Sequence, residues 1–159
     1  RAGSLAAQPE QPELLYESAL LAENLGRHEA MEASLRKLIR LKPEHAHAYN
    51  ALGYSFAERN QRLEEAEQLV LKALQLSPDD PFIIDSMGWV LYRKGDNQGA
   101  LAHLQRAFSI RPDPEIAAHL GEVLWALGRR DEAKRIWQEA AKAHPGNEVL
   151  AEVIKRFAP

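Results

Sequence analysis

Proline recurs in this chain with a fixed period. Pro43, Pro78, Pro112 and Pro145 are 35, 34 and 33 residues apart. A second ruler runs through Ala19, Gly53, Gly88 and Gly121, at steps of 34, 35 and 33. A third runs through Met31, Ala66, Ala100 and Ala133, at steps of 35, 34 and 33. Three rulers sharing one period mark a repeat, and a period of this size is one supersecondary unit stacked on copies of itself.

Each unit reads as two helices. In the third, PFIIDSMGWVLYRKG carries Ile84, Met87, Gly88 and Leu91 at helical spacing. Asp80 is an N-cap, and Pro81 suits the first helical position because its missing N–H has no partner to lose there. Gly95 ends the helix, Asp96 caps the next, and the Arg111–Pro114 turn stops it. The second helix is expected to bury Ala100, Leu101, Leu104, Ala107 and Phe108. The mid-unit stop is Gly26, Asn60, Gly95 and Gly128 in turn, and the extra residue of the second unit falls at Asn60-Gln61-Arg62. Gly53, Gly88 and Gly121 are expected to face Ala66, Ala100 and Ala133, so that paired helices approach closely. Tyr49, Leu52 and Phe56, and Leu120, Leu124 and Trp137, fill around them.

The fold expected is all-α: an α-α superhelix of four helix–turn–helix repeats over residues 12–45, 46–80, 81–113 and 114–147. Residues 148–159 form a capping helix with Val149, Val153, Ile154 and Phe157 on its apolar face. Residues 1–11 are either a tail or the stub of a preceding repeat, since Pro9 lies 34 residues before Pro43.

Leu52-Gly53, Phe56, Ala66, Ala73 and Pro78 together resemble the tetratricopeptide repeat (TPR). The resemblance covers residues 12–147 and implies a protein-binding solenoid whose first helices line a concave groove. Carried over by register, the groove positions are Tyr16, Leu20, Glu23, Asn24, His47, Asn50, Tyr54, Glu58, Phe82, Asp85, Trp89, Tyr92, Arg93, Glu115, Glu122 and Trp125. Six of the chain's eleven aromatics fall there. Phe82, Asp85, Trp89 and Tyr92 share one helix face, distinct from the face of Ile84 and Met87. Buried aromatics dominate binding hot spots, and Trp89 and Tyr54 are the preferred contacts, in a strip that runs on to Trp125. Some members of the family hold a partner's terminal carboxylate with a Lys/Asn/Arg clamp; here those positions are Tyr16, Leu20, Ala51, Phe82 and Ser86, so that mode is disfavoured. The groove is aromatic with an acidic rim, suited to an apolar or mildly basic segment.

Chemistry of other kinds finds little support. Net charge is −3, without the concentrated basic face that nucleic acid requires. The chain has no cysteine, which excludes disulfides and thiolate sites. The six histidines are scattered without an H-E-x-x-H pattern, and no phosphate-cradling glycine loop or serine elbow is present. No catalytic residue, metal or cofactor is expected, and no apolar run is long enough to span a bilayer.

The stretches Asp85–Arg93 and Ala117–Trp125 resemble, more specifically, the C-terminal repeats of proteobacterial TPR lipoproteins. That resemblance implies a place on the periplasmic side of the outer membrane and a role as adaptor for a carboxy-terminal processing protease, the lipid anchor lying in an N-terminal part beyond this chain. The alternatives are a cytoplasmic location, the accessory region of a multidomain enzyme, and self-association through the N-terminal end, where Leu14 and Tyr16 lie.

Overall fold

The computed structural model describes residues 11–159. The stub-or-tail expectation for the N-terminus falls almost wholly outside them. Among the described residues the chain forms nine helices: α1 (Pro12–Asn24), α2 (His28–Leu41), α3 (Ala46–Glu58), α4 (Leu63–Leu76), α5 (Pro81–Arg93), α6 (Asn97–Ile110), α7 (Pro114–Ala126), α8 (Arg130–Ala143) and α9 (Glu148–Phe157). They pair as α1–α2, α3–α4, α5–α6 and α7–α8. Each second helix also packs on the first helix that follows it, and α9 closes the stack against α7 and α8. The chain is an α-α superhelix.

Local chemistry sets the helix ends. Asp80 accepts hydrogen bonds from the Phe82 and Ile83 amides at 2.9 and 3.3 Å. Asp96 and Asp113 do the same for Gly99 and Glu115, both at 2.9 Å. Pro12, Pro81 and Pro114 open α1, α5 and α7. The four mid-unit stops all take the left-handed conformation, Asn60 with φ of 56° among three glycines. The longer second unit needs one thing more. Arg62 is left-handed too, at φ 47°, and its guanidinium lies 4.9 Å over the Phe56 ring and 2.8 Å from Glu32. Those contacts offset a conformation that costs a non-glycine residue roughly 1–2 kcal/mol.

The glycine positions are where helices touch. A Cβ on Gly53 would sit 2.9 Å from the Ala66 carbonyl oxygen and 2.7 Å from Val70. One on Gly88 would meet Leu104 at 2.7 Å and the Ala100 carbonyl at 3.2 Å. In the fourth unit the expectation needs correction: Gly121 faces the Trp137 indole, which fills the space a Cβ would take. The indole N–H donates to the Ala118 carbonyl at 3.3 Å, which fixes the ring in this hollow. Leu52, Phe56, Leu120, Leu124, Ala100, Leu101, Leu104 and Ala107 are core as expected, while Phe108 is half-buried. On α9 the inward face is Leu150, Val153, Ile154 and Phe157, with Val149 left exposed. That set has the i, i+3, i+4, i+7 spacing of a helix stripe, which Val149 breaks.

Gly121→Ala should therefore destabilise the chain by about 1–3 kcal/mol, despite Ala's better helix propensity, because a fully buried indole held by a hydrogen bond has nowhere to go. Urea denaturation monitored by tryptophan fluorescence would measure this; a stabilised variant would show that Trp137 can move.

Candidate functional site: the groove of the first helices

The row of first helices is bent. Tyr54 on α3 reaches His119 on α7, 65 residues on, with α5 between them: its hydroxyl is 3.1 Å from His119 Nε2. On the other side of the imidazole, Nδ1 lies 2.9 and 3.1 Å from the two oxygens of Asp85 on α5. Three consecutive repeats are thus tied by one buried histidine. Trp89 covers it, ring stacked on ring with centroids 4.1 Å apart.

At the N-terminal side of this link the groove opens into a cavity of about 230 Å³. Tyr16 and Leu20 on α1, Met31 and Leu35 on α2, and Ala51 and Phe82 supply its apolar walls. Glu23, Asp85 and Glu115 bring three carboxylates, and among the described residues no lysine or arginine lines it. Asn50 also lines it, and its side-chain amide oxygen is buried without a hydrogen-bond partner. Burial pushes the Glu115 carboxyl above its ordinary pKa, and the nearby Asp113, Asp85 and Glu58 push the same way against the pull of His119.

The residues singled out from the sequence divide. Tyr16, Asn50, Tyr54, Phe82 and Asp85 meet around the cavity. Glu58, hydrogen-bonded to the Tyr54 hydroxyl at 3.1 Å, lies beyond it, in a second, smaller cleft that it lines with Trp89, Arg93, His119, Glu122 and Arg156. Trp89 is not a surface contact: it is 4% exposed. The Trp89 ring is covered by His119, Tyr92 and Arg93, of which Tyr92 and Arg93 come from the same helix. Glu122 is also interior, held by Tyr92 Oη at 3.1 Å and Arg156 Nη2 at 2.9 Å. Burial, and then the Glu122 charge, push the Tyr92 hydroxyl up to about 12. Arg93 donates to the Ala57 and Glu58 carbonyls, bracing α5 on α3. Trp125 belongs to another place, among Trp137, Phe157 and Arg130. The strip from Tyr54 through Trp89 to Trp125 is therefore broken. What replaces it is a pocket on the side of α1.

In the sequence His119 is one of six dispersed histidines. It stands two residues before Gly121 in a helix otherwise apolar at that level, which was the available signal. Among the described residues no group of three His, Asp or Glu side chains is arranged to hold a metal ion.

Two tetratricopeptide-repeat models match the sequence, over residues 16–81 and 91–155. The chain belongs to the tetratricopeptide repeat family. A TPR repeat-containing protein of Pseudomonas aeruginosa is 48% identical over 118 residues, which is 74% of this chain and 20% of that protein. The chain thus spans about a fifth of this relative's length. A thermophilic TPR protein of Thermus thermophilus superposes with a TM-score of 0.82 at 24% identity, over 99% of this chain and 84% of the other. An O-GlcNAc transferase of Thermobaculum terrenum superposes with 0.76 at 22% identity, over 84% of this chain and 26% of its own. These two likenesses are of fold. TPR repeats are in general protein-interaction modules, so the groove is the surface to consider.

The histidine link makes stability depend on pH. Burial opposes the imidazolium, but the carboxylates of Asp85, Glu58 and Glu115 outweigh it and hold the His119 pKa above its ordinary value. A group whose pKa is raised by folding contributes stability that is complete below the unfolded value, about 6.5, and is lost as pH rises through the folded value. The difference in Tm between the native chain and His119→Gln should shrink over that window on going from pH 6 to pH 9. A difference that stays flat would mean the imidazole is neutral throughout.

Proposed function

We propose that this chain is a non-catalytic scaffold that holds an extended protein segment in the groove, an apolar side chain entering the cavity and a basic one beside it. The observation that carries this reading is the cavity's lining among the described residues: apolar walls, three carboxylates, no lysine or arginine, and an Asn50 amide oxygen without a partner. A buried acceptor left unpaired costs about 1–3 kcal/mol, which a backbone N–H of a bound segment would recover. The long stems of Lys and Arg lie along apolar surface with the charge at the far end, which matches walls of this kind edged by carboxylates. On an array of short peptides the chain should retain sequences that pair a leucine-like residue with a lysine or arginine. Asn50→Ala and Glu115→Gln should each weaken capture by roughly tenfold, the scale of one lost hydrogen bond. Retention of acidic peptides, or capture indifferent to both variants, would rule out this groove.

The 48% identity to a much longer TPR repeat-containing protein of a proteobacterium, with the resemblance of Asp85–Arg93 and Ala117–Trp125, supports a finer reading. In it the chain is the C-terminal part of a periplasmic lipoprotein scaffold that presents the groove as adaptor to a carboxy-terminal processing protease.

A second surface supports the same view. Leu14 and Leu21 on α1 are 58% and 60% exposed. Their counterparts by repeat register are Ala48, Ile83 and Ile116, and Ser55, Val90 and Val123, all 0% exposed. There each first helix packs on the second helix of the unit before it. We read the α1 face as the seat of such a helix from a preceding repeat. The far end offers no bare second helix to another copy, since α9 covers α8. Leu14→Lys with Leu21→Lys should leave the 159-residue chain's Tm nearly unchanged yet destabilise the native gene product. A dimer of the chain that this pair dissolves would assign the face to a second copy instead.

A further inference from the structure

The hydrogen bonds around Tyr54 cannot all be made in both protonation states of His119. The tyrosine hydroxyl is 3.1 Å from His119 Nε2 and 3.1 Å from Glu58 Oε2, and it has a single proton to give. With the imidazole charged, Nδ1–H donates to Asp85, Nε2–H donates to the Tyr54 oxygen, and the Tyr54 proton goes on to Glu58. The chain of donors is then complete from one carboxylate to the other. With the imidazole neutral and its proton on Nδ1 facing Asp85, Nε2 becomes an acceptor, and it competes with Glu58 for the same tyrosine proton. The competition is unequal. Glu58 is exposed and can be hydrogen-bonded by water, whereas His119 is buried and among the described residues Tyr54 is the donor within reach of its Nε2. The hydroxyl therefore turns inward and the carboxylate is let go.

We propose that the proton on His119 gates the acidic rim of the groove: while it is present Glu58 is held by Tyr54, and when it leaves Glu58 is free to take a cationic group of the partner. This deepens the groove reading above and rests on it for the partner's charge. Other charged groups packed around the imidazole do not supply the switch. Arg93 on α5 is engaged by the Ala57 and Glu58 carbonyls, and Arg156 on α9 by Glu122 of α7. Glu58 lines the small cleft beside His119 together with Arg93, Glu152 and Arg156, and the Glu152 carboxylate lies 3.8 Å from the Arg156 guanidinium. Glu115, one turn before His119 on α7, adds negative charge and with Asp85 and Glu58 favours the imidazolium. Linkage runs in both directions. A basic segment at the rim competes with the imidazolium for the same carboxylates, so it is held more tightly as pH rises through the His119 titration, and its binding expels the proton.

The proton can be followed without any partner. Long-range proton–nitrogen NMR spectra of the labelled chain between pH 5 and 9 report both the charge and the tautomer of His119. The expected course is from a doubly protonated ring to the Nδ1–H tautomer. Glu58→Gln should lower the midpoint by about half a pH unit or more. Tyr54→Phe keeps every charge and the ring while removing the relay, and in that background the effect of Glu58→Gln should fall to roughly half or less. Additive shifts, or a neutral ring protonated at Nε2, would overturn the relay, whatever the groove binds. Hexylammonium, an apolar stem with a cationic head, serves as the groove probe. It should lower the His119 midpoint in the native chain and do so less in Glu58→Gln. A relay that titrates as described but ignores hexylammonium would leave the proton coupling standing and overturn the cation gate.

Discussion

Everything in this solenoid depends on how closely the two helices of a unit can approach. At Gly53 and Gly88 the second helix brings a backbone carbonyl or a branched side chain to within van der Waals distance of where a Cβ would be. Dispersion falls off steeply with separation, so a gap of one methylene along this line would forfeit much of the contact. The period of the sequence follows from this demand. A small residue has to return at the same level of each hairpin, and the turn between helices has to return with it. The second unit shows how strict the demand is: its extra residue is absorbed wholly in the turn, by a left-handed Arg62, and Gly53 still meets Ala66 and Val70.

Repetition at this level explains which parts of the structure could be read from sequence. Helix starts at Asp80, Asp96 and Asp113, and the core at Leu52, Phe56, Leu104 and Leu124, follow from local chemistry and period. Both act within one helix or one hairpin. Contacts between units were less legible, because they depend on curvature. Trp89 looked like a surface anchor from its helix face alone. It is interior because α7 swings close enough for His119 to lie flat on it. The period alone places another small-on-small contact at Gly121, although Trp137 lies four residues beyond Ala133, one helical turn away, and can reach over it. Neither error was one of periodicity. Each came from a side chain long enough to cross between elements, whose direction the period does not encode.

The same limit hid the most informative residue of the groove. His119 has no counterpart in the other units, where the matching positions are Glu17, Ala51 and Ser86. A repeat read by its consensus discards such a residue as noise. Yet the departures from consensus are what distinguish one solenoid from another. Here one departure carries hydrogen bonds to α3 and α5 at once, and so fixes the relative tilt of three units. The cost of burying an ionisable ring is met by Asp85 at 2.9 Å and by Tyr54 on the opposite nitrogen.

That arrangement also determines the character of the groove beside it. A buried imidazolium would ordinarily repel a basic ligand. It is instead screened from the cavity by the residues it binds: Asp85 and Tyr54 line the cavity, and His119 does not. The cavity side presents carboxylates, the protein side holds their counter-charge, and Tyr54 is the only hydroxyl bridging His119 to Glu58, in the adjoining cleft, among the hydrogen bonds described. A histidine in this position stabilises the curvature of an empty groove by balancing Asp85, Glu58 and Glu115 from within. A cationic partner would do the same from outside. The two cannot both be optimal at once, and this conflict, more than any shape of the pocket, ties the binding surface to the packing of the repeats that form it.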